Sequence, residues 1–66
     1  MQYDITGRRD IASGFILIPH TAAANVFLVN EFALVGDRDA TMQDYDLIVR
    51  RARRRGFTVN DTLRGS

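Results

Sequence analysis

Apolar and polar positions change their spacing several times along this chain, and each change marks a different element. Phe15-Ile16-Leu17-Ile18 is a short apolar, β-branched run that follows Ser13-Gly14 and stops at Pro19, the pattern of a strand with much of both faces buried. Upstream, residues 2–6 alternate polar and apolar side chains, and Gly7 can turn the chain so that they pair as an edge strand. Beyond Pro19 and His20 the spacing lengthens. Thr21 stands as an N-cap ahead of Ala22-Ala23-Ala24. Ala24, Phe27, Leu28 and Glu31 then follow the i, i+3, i+4, i+7 spacing of a helix, with Ala24, Phe27 and Leu28 laid on a sheet. Val26, Phe27, Leu28 and Val29 also have high strand propensity, so one long strand over residues 25–35 is a rival parse. The preferred parse ends the helix near Asn30 or Glu31 and gives residues 32–35 to a strand. Gly36-Asp37-Arg38-Asp39 then turns into a second strand over residues 40–42.

The last helix has the clearest pattern. Tyr45, Ile48, Val49 and Ala52 form one apolar face, Asp44 and Asp46 lie in the first turn, and Arg53, Arg54 and Arg55 lie in the last. Gly56 is placed to close it, and residues 57–59 read as a short final strand before a frayed polar tail over residues 60–66. These elements predict one α+β domain over residues 1–66, in the order β-β-α-β-β-α-β. A small, mainly antiparallel sheet is covered on one face by two helices, at about residues 21–31 and 43–55. The expected core is Phe15, Leu17, Phe27, Leu28, Tyr45, Ile48, Val49, Ala52, Phe57 and Val59.

Size and charge sharpen this picture. A chain of 66 residues without cysteine has a thin core and no disulfide to reinforce it, so partner binding or homo-oligomerisation would add stability. All nine basic residues are Arg, which suits a GC-rich genome as well as any demand for guanidinium chemistry. Residues 1–49 hold three Arg against seven acids, 3 − 7 = −4, and residues 50–66 hold six Arg against Asp61, 6 − 1 = +5. The molecule is polarised. No signal-peptide pattern opens the chain and no run approaches the ~18–20 apolar residues of a membrane span, so a cytoplasmic protein with no membrane partner is expected.

The order Ile18-Pro19-His20-Thr21-Ala22-Ala23-Ala24, then Phe27-Leu28, and later Tyr45-Asp46-Leu47-Ile48 through Ala52 to Gly56-Phe57-Thr58-Val59 resembles a loose class of small, mostly uncharacterised phage and prophage proteins. In that class a strand ends in a Pro-x-Thr-x-x-Ala segment, and a helix with a central aromatic follows. A hairpin comes next, and a helix ending in Ala-x-x-x-Gly leads into a last strand. Pro19, Thr21, Ala24 and Phe27 take the first set of positions, and Ala52, Gly56 and Val59 the second. The likeness covers residues 15–60 and departs from the class in a shorter middle hairpin and an Arg-heavy last helix. It implies a β-α-β-β-α-β core and carries no catalytic residue across.

Reactive chemistry is scarce. One His, no Cys, no Lys and no Trp leave His20 as the sole candidate base. Ser13 lacks the Gly-x-Ser-x-Gly elbow that would mark it as a nucleophile, and a helix-entry role suits His20 better. Asp37, Asp39, Asp44 and Asp46 miss the spacing of a calcium loop, and no glycine pattern cradles phosphate. No enzyme, metal or cofactor is therefore expected. The remaining feature is the run Arg50, Arg51, Arg53, Arg54 and Arg55. On a helix Arg50, Arg53 and Arg54 would share the face opposite the core, with Arg51 and Arg55 flanking. The sequence thus predicts a non-enzymatic binding module of phage or mobile-element type that docks on a protein, an acidic one if the arginines are the surface. Nucleic-acid binding through the same helix is the alternative, and a merely solvated face is the blander one.

Overall fold

The computed structural model describes residues 2–12, 14–36 and 39–64. They form three strands, β1 (Ile5–Arg8), β2 (Ile16–Pro19) and β3 (Val59–Asp61), two helices, α1 (Ala22–Val35) and α2 (Met42–Arg54), and a closing 3-10 turn, Thr62–Arg64. The sheet order is β2-β1-β3, with β1 antiparallel to β2 and parallel to β3. Gly7 lies opposite Leu17 on one side and Asp61 on the other, and Ile5 opposite Val59. Because side chains alternate along a strand, these registers put Ile5, Gly7, Leu17, Val59 and Asp61 on one face. Ile5, Gly7, Leu17 and Val59 are buried there, while Thr6, Ile16 and Ile18 on the other face are more open. The helices cover the first face.

Local chemistry explains the joints. Between β1 and β2 the Asp10 carboxylate accepts from the Ala12 N–H at 3.1 Å and its carbonyl from the Gly14 N–H at 2.8 Å, and Gly14 takes a φ of 87°. Thr21 caps α1, its Oγ1 accepting from the Ala24 N–H at 3.1 Å. α2 opens on a reciprocal box: Thr41 Oγ1 accepts from the Asp44 N–H at 3.3 Å, and Asp44 Oδ2 accepts from the Thr41 N–H at 2.8 Å. It closes with Gly56 at a φ of 95°, where the Gly56 N–H reaches the Arg53 carbonyl and the Phe57 N–H the Ala52 carbonyl, each at 3.0 Å.

The middle hairpin of the expected order is absent among the described residues. Residues 32–35 continue α1, and residues 40–42 lead into α2, so the order is β-β-α-α-β and the rival strand over residues 25–35 does not form either. A helix once nucleated gains a hydrogen bond with each added residue, and Phe32 at this stage stacks on Phe15 with ring centroids 6.5 Å apart. Gly36 ends the helix, its N–H bonded to the Phe32 carbonyl at 3.2 Å; Asp37 and Arg38 of the supposed turn lie outside the described residues. The sheet is mixed rather than mainly antiparallel, and β1 is its centre rather than an edge. The last strand begins at Val59, two residues later than expected. Phe57 is used to close α2, and Thr58 exchanges hydrogen bonds with Asp4, its N–H and Oγ1 reaching Asp4 Oδ2 at 2.9 and 3.2 Å. Of the supposed frayed tail, residues 60–61 belong to β3 and residues 62–64 to the turn, which Thr62 ties to the Gly7 carbonyl at 2.5 Å. Residues 65–66 lie outside the described residues.

The core comprises Ile5, Phe15, Leu17, Ala24, Phe27, Leu28, Tyr45, Ile48, Val49, Ala52 and Val59. Phe57 is half-buried against it, 5.3 Å from the Phe27 ring. Tyr45 lies at its centre, fully buried, edge-on to Phe15 at 5.0 Å. No helix among the described residues is long and apolar enough to cross a membrane.

Candidate partner-binding surface on the last helix

α2 presents its arginines in three directions, because the apolar stripe that docks it on the sheet fixes its rotation. With about 100° between successive residues, Arg50 and Arg54 fall opposite the stripe, Arg53 turns toward β3, and Arg51 and Arg55 turn toward α1. Each flanking arginine has a task inside the molecule. Arg51 Nε donates to Glu31 Oε1 at 2.6 Å, joining the two helices. Glu31 is 6% exposed and Arg51 about half exposed, so the carboxylate sits on the dry side of the pair. The Arg55 guanidinium stands 5.5 Å from the centroid of the Phe27 ring, a cation–π contact. Arg53 Nη2 donates to the Val59 carbonyl at 3.3 Å, tying α2 to β3. The grouping of Arg53 with Arg50 and Arg54 on one outer face is therefore looser than the spacing suggested.

Beside Arg50 lies a shallow hollow of about 250 Å³ lined by Asp46, Val49, Arg50, Arg53 and Asp61. Asp61, the lining residue contributed by β3, accepts the Tyr45 hydroxyl at 2.5 Å. The hollow thus mixes two guanidinium groups with two carboxylates, and Asp61 couples it to the centre of the core.

The other candidates have structural partners. His20 Nε2 lies 2.8 Å from Thr6 Oγ1, and the His20 N–H donates to the Asp4 carbonyl at 2.8 Å, so the residue pins the end of β2 to β1. Ser13 and Asp37 lie outside the described residues, and Asp44 belongs to the cap of α2. Among the described residues, no three His, Asp or Glu side chains gather as metal ligands would. Two features escaped the sequence reading. Glu31 was placed on a helical stripe, but its partner comes from the other helix and no local spacing announces it; the available signal is that an acid among apolar stripe positions requires a cation. The second is the outward side of α1, where Val26, Val29 and Leu34 are exposed. Comparison with protein-family models, curated proteins and solved structures finds no match to this chain.

Proposed function

We propose that this chain is a non-enzymatic binding module whose outer α2 surface, Arg50 and Arg54 with Arg53 at the edge of the hollow, docks on an acidic patch of a protein partner. The observation that carries this reading is the division of labour among the five arginines. Arg51, Arg53 and Arg55 hold α2 against α1 and β3, so Arg50 and Arg54 are offered from a fixed helix and only their own side chains remain to be ordered on binding. The carboxylates of Asp46 and Asp61 lining the adjoining hollow weigh against a uniformly anionic ligand such as a polyphosphate and favour a partner whose acidic patch is bordered by cationic groups. Among the described residues, no aromatic side chain lines the hollow to stack on a base. The likeness to small phage and prophage proteins extends the proposal to a cytoplasmic modulator or inhibitor of a host complex, including defence machinery.

Affinity capture from host lysate with the wild type and an Arg50→Gln/Arg54→Gln variant, read by mass spectrometry, tests it. The expected result is one stoichiometric protein retained by the wild type and lost by the variant. Recovery of nucleic acid without a stoichiometric protein, with a salt slope that falls by about one unit per arginine removed, assigns the surface to the alternative class instead.

A further inference from the structure

α1 has an unusual distribution of side chains for a helix packed on only one side. Its inward face carries Ala24, Phe27, Leu28 and Glu31, all buried. Its exposed positions are Ala22, Ala23, Asn25, Val26, Val29, Asn30, Ala33 and Leu34, none of them charged. The one charged residue of the helix, Glu31, is turned inward to Arg51. Val26 and Val29 are 59% and 61% exposed and Leu34 76%. Apart from Asn25 and Asn30 these exposed positions are apolar, and an apolar helix face is normally covered.

The outward stripe also has an order. Ala22, Val26, Val29 and Ala33 are separated by four, three and four positions, an average close to the 3.6 residues of a helical turn, which keeps all four on one face of a straight helix. Read backwards the stripe is the same: reversal about the midpoint between residues 27 and 28 maps Ala22 onto Ala33 and Val26 onto Val29. A two-fold axis through that midpoint therefore sets each valine against a valine and each small alanine against an alanine. This self-complementarity is what an isologous interface requires. The first turn of α1 has no acid and its last turn no base, so no side-chain charge of its own compensates its dipole at either end. A neighbour running antiparallel supplies the opposite pole at each.

We infer that α1 is the interface of a symmetric homodimer in which two copies of this chain pack α1 against α1 antiparallel, on a surface separate from the arginines of α2. A helix of 14 residues is about 21 Å long. A pair that size buries on the order of 800 Å², below the roughly 1,200–2,000 Å² of a standard stable interface. The dimer is accordingly weak and concentration-dependent.

Sedimentation velocity of the full chain from low micromolar to millimolar concentration tests the inference. The expected result is a shift from monomer toward dimer in the wild type. Val26→Asp and Val29→Asp should each stay monomeric throughout with the helical circular dichroism of the wild type. A wild type that remains monomeric at millimolar concentration, or a dimer that persists in both valine variants, overturns it. Orientation is read by thiol crosslinking, which is clean because the native chain has no cysteine. A mixture of Ala22→Cys and Ala33→Cys chains should oxidise to the mixed disulfide. Ala22→Cys alone should not crosslink, since its two copies stand about 16 Å apart along the axis. Rapid crosslinking of Ala22→Cys to itself overturns the antiparallel arrangement.

Discussion

Replacing Gly7 by Ala places a methyl group where the molecule keeps the hydroxyl of Tyr45. The new Cβ would overlap Tyr45 Oη and stand 2.9 Å from both Cε2 and Cζ of the ring. Gly7 is not among the positive-φ glycines, so it is required for space and not for backbone conformation. The ring has nowhere to go: it is fully buried, edge-on to Phe15 at 5.0 Å, and held by Asp61 at 2.5 Å. Overpacking costs about 1–3 kcal/mol, and losing the bond to the carboxylate about 1.5–3 kcal/mol. The reduced freedom of the unfolded chain returns only about 0.4–1 kcal/mol. A net loss of about 2–5 kcal/mol follows, most of what a domain of this size possesses. Tyr45→Phe alone should lose about 1.5–3 kcal/mol for the same bond. Since both changes remove that bond, Gly7→Ala/Tyr45→Phe should fall short of the sum of the single losses by a similar amount. Urea unfolding followed at 222 nm, at one protein concentration for all four chains, measures the cycle. Additivity within about 0.5 kcal/mol, or a Gly7→Ala chain as stable as the wild type, would refute the claim that Gly7 is required for the space the Tyr45 hydroxyl occupies.

Arg51→Ala should destabilise by about 1–3 kcal/mol, less than for a fully buried pair because Arg51 is half in solvent; Glu31→Met/Arg51→Met should recover most of that loss in the same urea titration. Thr41→Ala removes one side of the α2 capping box and should lower stability by about 1 kcal/mol, seen as a fall of about 4–8 °C in Tm. Arg50→Gln and Arg54→Gln should each stay within about 0.5 kcal/mol of wild type. Arg53→Gln should cost about 1 kcal/mol through its bond to the Val59 carbonyl, and equal effects of the three in thermal melts would contradict the distinction.

The parts of the fold that local pattern decides were legible in the sequence. Tyr45, Ile48, Val49 and Ala52 mark α2 because its polar positions contrast sharply with its apolar ones, and Gly56 marks its end by the conformation it alone adopts freely. α1 lacks that contrast. Val26, Val29 and Leu34 on its outside look the same in sequence as Phe27 and Leu28 on its inside, so its length could not be read from periodicity. The cap at Thr41 with Asp44 was readable and would have argued for a helix start over a strand. The parallel pairing of β1 with β3 was not, because nothing in three short strands distinguishes an edge from a centre. At the candidate surface, helical spacing grouped Arg50, Arg53 and Arg54 opposite the core with Arg51 and Arg55 at the flanks, and the bond of Arg53 to the Val59 carbonyl is what loosens that grouping. The destinations of Arg51, Arg53 and Arg55 lie on α1 and β3, and only the packed structure reveals them.

The central strand of the sheet is made early and completed late. β1 pairs with β3 across most of the chain, the bonds between Asp4 and Thr58 spanning 54 positions. At a synthesis rate of about 5–20 residues per second, roughly 3–11 seconds separate the two strands on the ribosome, whereas helices and hairpins form within microseconds. During that interval β1 offers one open edge, and Tyr45 lacks the carboxylate that later receives its hydroxyl. The pairing of β1 with β3 and the bond from Tyr45 to Asp61 can therefore form only after translation has passed Asp61. A nascent chain stalled before Val59 would hold an unpaired strand edge available to chaperones, to proteases or to another stalled copy.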